Sequence, residues 1–279
     1  MADKESKNIS DLISDRFAEP SDIGKDRLSA GTHATQLTHR SHRSFKVNPV
    51  DNETLQLLYA CALSAPSKSD LQQTTIIHME NPRARKFIER NLPSMPWINS
   101  APVFLLFCGD SRRIRDICHL NNTIFAHDPL DALVNAVADS AIVLQNFIIA
   151  AEAEGLGCCP ISAVRDITTS LAEFCNLPDG VFPFAGLCLG YPAEQPAISV
   201  RLPARVMVHK NRYDASILAG EIANYDQRRS LRNRFNRQRQ VDKYGHASKY
   251  SWSIDKARQT SNADRLSFSK HVRKHGFEP

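Results

Sequence analysis

The side chains best able to do chemistry are densest in one heptapeptide of this 279-residue chain, His39-Arg40-Ser41-His42-Arg43-Ser44-Phe45. Arg40 and Arg43 offer forked N–H donors and Ser41 a hydroxyl. That set suits a phosphate or the polar edge of a heteroaromatic ring. On composition alone, a basic surface turn fits as well. A second cation, Arg201, follows the last long apolar run and precedes Pro203. Two arginine-bearing segments far apart in sequence, each flanking core elements, fit a single phosphorylated cofactor held between them. His39 and His42 stand three residues apart, but the arginines around them repel a cation. An anion site is therefore expected there, and no metal site is expected anywhere.

Other chemistries leave no mark. There is no Ser-His-Asp pattern, GxSxG, HExxH or Walker loop. Gly155-Leu156-Gly157 follows a helical pattern, whereas a dinucleotide fingerprint places its glycines at a helix start. Seven cysteines, odd in number and without CxxC spacing, read as reduced, mostly buried thiols.

Positioning these residues requires a core. The stretch Asp131–Gly157 has no Gly or Pro until Gly155 and a single charge, Asp139, in its middle. Leu133, Val137, Ala141, Leu144 and Ile148 share one helical face; Val134, Ala138, Ile142, Ile149 and Ala153 share another. A helix apolar on nearly every face is expected to be buried on nearly every face, inside an α+β domain or in a dimer interface. Asn135, Gln145 and Asn146 interrupt it too often for a membrane span. A further helix is expected from Asp51 or Asn52 to Leu63, and others over 28–38, 82–92, 168–175, 215–239 and 266–275. Strands are expected at 74–79, 103–108, 158–161 and 182–189.

The chain divides on this reading into a disordered extension at 1–27, a core at 28–213 and a basic tail at 214–279 that wraps the core or a partner subunit. From Lys210 onward sixteen Lys/Arg face seven Asp/Glu, net +9 against +5 for the whole chain. A run such as Arg228 to Arg239 reads first as a solvated helix face, then as an anion site, then as a nucleic-acid contact. The polar, mixed-charge start is not that of a secretory signal, and the cytoplasm is the default compartment.

In order along the chain, several segments resemble the nitroreductase superfamily, closest to its larger, oxygen-insensitive NADPH nitroreductase and NADPH:FMN oxidoreductase type. They are His39–Phe45, Ala65-Pro66-Ser67 with Gln72, Pro96-Trp97-Ile98, Ala150–Gly157, Gly186–Pro192, Arg201-Leu202-Pro203 and Trp252 with Lys270–Phe277. The resemblance implies an α+β, nitroreductase-like, FMN-dependent fold. In it a central mixed β-sheet is flanked by helices around a long buried dimer-interface helix. It further implies a homodimer whose two FMN sites are lined by both subunits.

Carried over position by position, His39, Arg40 and Ser41 meet the FMN phosphate side and Arg201 closes on it, with His42 in the same run. Arg43 reaches the N1/O2 edge, where reduction places negative charge; Ser67 touches the flavin from its loop. Pro160, Ile161, Ser162 and Ala163 pass behind the ring, with the Ala163 amide near N5. No side chain is expected to be an obligatory catalytic acid, because the flavin carries the chemistry; solvent or His42 supplies protons. Three positions depart from the pattern: Ser162-Ala163 for Gly-Gly, Ser199 for a lysine, and Met95 or Ser94 for Gln. Lys243 and Lys249 fall roughly where the subgroup recognises the NADPH 2′-phosphate.

The implied activity is ping-pong electron transfer from NADPH through FMN to small-molecule acceptors: nitroaromatics, quinones or free flavin. The rivals are a nucleic-acid-binding protein acting through the arginine-rich tail, and a dehalogenase or ene-reductase of the same fold.

Overall fold

A computed structural model describes residues 7–278. In chain order its helices are α1 (Ile9–Phe17), α2 (Gly31–Thr38), α3 (Asn52–Leu63), α4 (Pro82–Asn91), α5 (Arg112–Leu120), α6 (Pro129–Ala153), α7 (Thr168–Phe174), α8 (Ala204–Met207), α9 (Leu218–Arg232), α10 (Val241–Tyr244), α11 (Trp252–Thr260) and α12 (Leu266–Val272). The strands are β1 (Thr74–His78), β2 (Val103–Asp110), β3 (Gly157–Ile161) and β4 (Val181–Gly190). Contacts divide the chain into two units, residues 41–196 with 265–279, and residues 1–40 with 197–264.

The first is a sheet unit with strand order β1-β2-β4-β3. All three ladders are antiparallel, so the expected mixed sheet is corrected; the one parallel pairing among the described residues is the isolated bridge Ser41–Cys158. Strand β2 is buried on both faces and alternates its side chains between them. Phe104, Leu106 and Cys108 pack with Ile88 of α4 and Leu171 of α7. Leu105 and Phe107 pack with Leu58 of α3 and with Val143, Phe147 and Ile148 of α6. Pro183 lies inside β4, where it removes a ladder donor; the register shifts there, Phe107 facing Ala185 and Cys108 facing Pro183. Such a bulge is where a strand tolerates proline.

Asp128 caps α6 through two backbone amides, and Gly155 (φ +76°) turns the chain away after it in a conformation that side-chain-bearing residues rarely adopt. The helix is not buried all round. Leu130, Val134, Ala138, Ala141 and Ile142 form an exposed apolar stripe on the single chain, while Ala136, Asp139, Ser140, Val143 and Phe147 are buried.

The second unit is helical. Residues 9–17, expected to be disordered, form α1; the first six residues of that extension lie outside the described ones. Asn8 explains the helix: its side chain accepts from the Asp11 amide while Asp11 accepts from the Asn8 amide. Buried Ile9 and Leu12 then supply an inward face. Beside the expected boundary at residue 213, contacts group residues 197–264 with 1–40. The chain leaves the sheet after Gly190, so residues 197–213 belong with the C-terminal helices. Residues 265–279 return to the sheet unit because Val272 and Phe277 pack on Phe182. Helices α5 and α11 had no counterpart in the sequence reading. Both are short and rich in polar residues, and what α11 buries is Asp255 and Arg258, not an apolar stripe.

Candidate active site

In the helical unit the two expected arginine segments are brought together. The agent is Arg16 of α1, a residue the sequence reading missed. Its guanidinium donates to the carbonyls of Leu37 (3.0 and 2.7 Å), His39 (2.5 Å) and Ser199 (3.0 Å). Its own carbonyl accepts from the Arg201 amide at 2.9 Å. Arg16 is 5% exposed. The His39 carbonyl, next to Arg40 at the end of α2, and the Ser199 carbonyl, two residues before Arg201, therefore share one buried fork. Arg40 Nε bonds back to Thr38 O, and Arg201 is exposed. Behind Val200, Tyr225 of α9 donates to its carbonyl and Asn233 accepts from its amide, fixing the 198–201 backbone from the other side.

In the sheet unit a second convergence forms around β3. The His42 amide donates to Cys158 O at 2.9 Å, beside the Ser41–Cys158 bridge. Gly157 is required there, since an added Cβ would lie 2.7 Å from the His42 ring. His42 is buried; this makes it a packed wall of the site and a poor proton shuttle to solvent. Arg43 is exposed and lies over the Trp97 ring, 5.7 Å from its centroid. The Trp97 segment is held by Arg85, which donates to Ile98 O and Ala101 O. Met95 opens that segment but packs its side chain against the apolar core.

At the end of β3, exposure alternates with burial: Pro160 and Ser162 face outward, Ile161 and Ala163 inward. Ala163 stands in the first turn of a 3-10 helix, Ser162–Ile167, where amides lack intrahelical acceptors. Ser162 Oγ accepts from Arg265 at 3.0 Å, and Arg265 also pairs with Asp166. Arg265, reached from the far end of the chain, had no signal in the sequence.

Ser67 is committed to its own loop. Its hydroxyl donates to Asp139 Oδ2 (2.7 Å) and accepts from the Gln72 amide (2.7 Å). Asp139, the single charge in the middle of α6, also takes the amides of Gln73 (2.8 Å) and Lys68 (3.3 Å). Ser69, Asp70 and Gln72 all have positive φ, so this carboxylate holds a loop with three left-handed non-glycine residues in place.

The two lysines expected at a nucleotide phosphate are not equivalent. Lys249 lines a cavity of about 570 Å³ with Arg229, Arg234, Phe235, Tyr250 and Trp252. Lys243 is outside that lining and reaches Ser261 O and Asn262 instead. Much of the basic run is neutralised by acids: Arg228 pairs with Glu19, Arg232 with Asp15 and Arg239 with Asp255. All seven cysteines are free, and burial raises the Cys108, Cys158 and Cys188 thiols above their ordinary range and pushes that of Cys175 up to about 11.

Comparison with known proteins matches residues 37–191 to the Nitroreductase family and 199–279 to the Nitroreductase family C-terminal domain. The chain is 36% identical over 197 residues to a Bacillus subtilis protein named FMN reductase (NAD(P)H), covering 69% of this chain and 78% of that one. It is 35% identical to an oxygen-insensitive NADPH nitroreductase of Salmonella typhimurium over 184 residues, 65% of this chain and 75% of the other. Among solved structures, NADPH:FMN oxidoreductase from Vibrio harveyi complexed with NAD+ superposes with a TM-score of 0.74 at 28% identity, covering 88% of this chain and 97% of its own.

Proposed function

The chain belongs to the nitroreductase family, and from that premise we propose that it is an FMN-dependent oxidoreductase that takes electrons from NADPH and delivers them to nitroaromatics, quinones or free flavin. The observation that carries this reading is the joining of the 39–40 and 199–201 segments by one buried guanidinium. Sequence placed those arginines far apart; a phosphate site requires them together.

Each unit carries a donor set suited to one chemical side of FMN. In the helical unit, Arg40 and Arg201 on fixed backbone supply the positive charge that a phosphate monoester needs. In the sheet unit, Arg43, oriented by the Trp97 face, supplies a cation suited to the N1/O2 edge of the ring. The Ala163 amide is the donor for N5, and the rigid β3 end with its outward Pro160 is the apolar backing. Ser41 serves the phosphate side. Ser67, its hydroxyl hydrogen given to Asp139, meets the ring as an acceptor or through its loop backbone. Bound FMN supplies the redox chemistry, accepting hydride from NADPH and passing electrons on to the second substrate. No side chain here has to break a bond. The protein binds, orients and stabilises charge, and protons come from solvent, since His42 is walled in.

Lys249, with Arg229 and Arg234 around the aromatic cavity, is the set that supports an anionic nucleotide; Lys243 is the weaker of the two candidates. The exposed stripe of α6 supports a homodimer, because burying it removes apolar side chains from water. The cytoplasm is the compartment proposed. The basic run does not favour nucleic acid, since three of its arginines already answer carboxylates.

The test is the visible spectrum of protein purified in the presence of FMN. Flavin absorption that co-elutes with the protein and bleaches anaerobically faster with NADPH than with NADH is expected. Colourless protein that cannot be loaded with FMN would overturn the reading. Light scattering on the same sample reads the dimer.

A further inference from the structure

Helix α1 lies ahead of residue 37, where the family match begins. It is nevertheless built into the arginine-bearing backbone by four main-chain contacts of a single residue. Arg16 donates through Nε and Nη2 to Leu37 O, through Nη2 to His39 O and through Nη1 to Ser199 O, and it accepts from the Arg201 amide. A planar fork can serve carbonyls from two segments at once; a single ammonium on a flexible stem cannot hold the same geometry. The helix that delivers it is itself tethered. Asp15 pairs with Lys7 and Arg232, and Glu19 with Arg205 and Arg228. The Ile9 amide bonds to Arg27 O. The position at 199 brings no cation of its own, only a carbonyl that Arg16 holds.

We propose that Arg16 is a positioning residue for the cofactor phosphate: by fixing the carbonyls of residues 37, 39 and 199, and the amide of 201, it sets the spacing of the backbone that carries Arg40 and Arg201. The N-terminal helix is thereby part of the binding machinery. This rests on the flavin reading above, and it makes a narrower claim. Arg16 governs recognition of the phosphate and not of the isoalloxazine ring.

Riboflavin, which lacks the phosphate, separates the two. The full-length protein, Arg16→Ala and Arg16→Lys are each titrated with FMN and with riboflavin, following flavin fluorescence. The wild type is expected to prefer FMN strongly. Arg16→Ala is expected to weaken FMN binding by about tenfold or more, the usual scale for losing charge-assisted hydrogen bonds, with riboflavin affinity unchanged. Arg16→Lys, which keeps the charge and most of the volume, is expected to recover only part of the loss; it also decides the matter if the alanine variant does not fold. FMN affinity within twofold of wild type in Arg16→Lys and Arg16→Ala overturns the proposal. So does an equal loss of FMN and riboflavin, which would make Arg16 merely structural. A wild type that binds neither ligand overturns the flavin reading itself, a result distinct from both.

Discussion

Each of the two units of this chain is held together internally, and by different physics. In the sheet unit, β2 and β4 are buried almost end to end, and both faces are covered by helices carrying Leu, Ile and Phe. In the helical unit the buried apolar residues are few, and cohesion comes from arginines: Arg16 on carbonyls, Arg205 and Arg228 on Glu19, Arg258 on the Arg239 carbonyl. Apolar burial is non-directional and not subject to Debye screening, whereas ion pairs are screened by salt and lost on titration. The chemistry assigned to each unit follows the same division. A flat ring edge is served by a rigid strand end, and a charged phosphate by a charged, hydrogen-bonded frame.

The contrast is broken most directly in the sheet unit. Phe107→Ala empties a fully buried position between α6 and the sheet and is expected to cost about 3–5 kcal/mol in urea denaturation. Asp139→Ala tests a strongly polar joint inside that unit. It leaves the Ser67 hydroxyl and the amides of Lys68 and Gln73 without their acceptor, at an expected cost of about 1–3 kcal/mol. Proteolysis of the 67–73 loop should rise with it. An unchanged midpoint and an equally resistant loop would show that the carboxylate is incidental.

The smallest expected effect belongs to the helical unit and depends on pH. The Arg205 hydrogen bond holds the Glu19 carboxyl below its ordinary value near 4.5, with burial opposing and the Arg228 charge assisting. A carboxyl with a depressed folded-state pKa stabilises above its unfolded value and loses that contribution as pH falls below it. Attachment of α1 is therefore expected to be intact at neutral pH and to loosen below about pH 4.5, by less than about 1 kcal/mol for so exposed a network. Hydrogen exchange of α1 amides at successive pH values reads it. Raised salt should loosen the same helix slightly at neutral pH, while the contacts of buried Arg16 resist. Equal acid sensitivity of the β2 amides would erase the distinction between the units.

Much of the sheet unit was legible beforehand. VFLLFC could only be a buried strand, and the Asp51 cap, Pro82 at a first helical turn and Gly155 after α6 fixed their helix ends to within a few residues. What misled was burial counted on the isolated sequence: α6 is apolar on more faces than one chain can cover. The 1–27 segment misled in the opposite direction. Its charges read as solubilising, although Asp15, Arg16 and Glu19 are pairing groups whose partners lie 8 to 217 positions away, most of them beyond 20.

Local chemistry, then, was written in the chain itself: the cations of residues 39–43, the strand and helix periods, the family likeness and the cofactor class it implies. Hydrogen-bond periodicity and side-chain propensity act over a few residues, so a linear reading reaches them. Which groups meet across the fold was decided only by tertiary structure. Arg16 joining residues 37–39 to 199, Asp139 holding the Ser67 loop and Arg265 reaching Ser162 are contacts between segments with no local pattern in common. A polar side chain satisfied at long range looks, in sequence, like any other charge facing water.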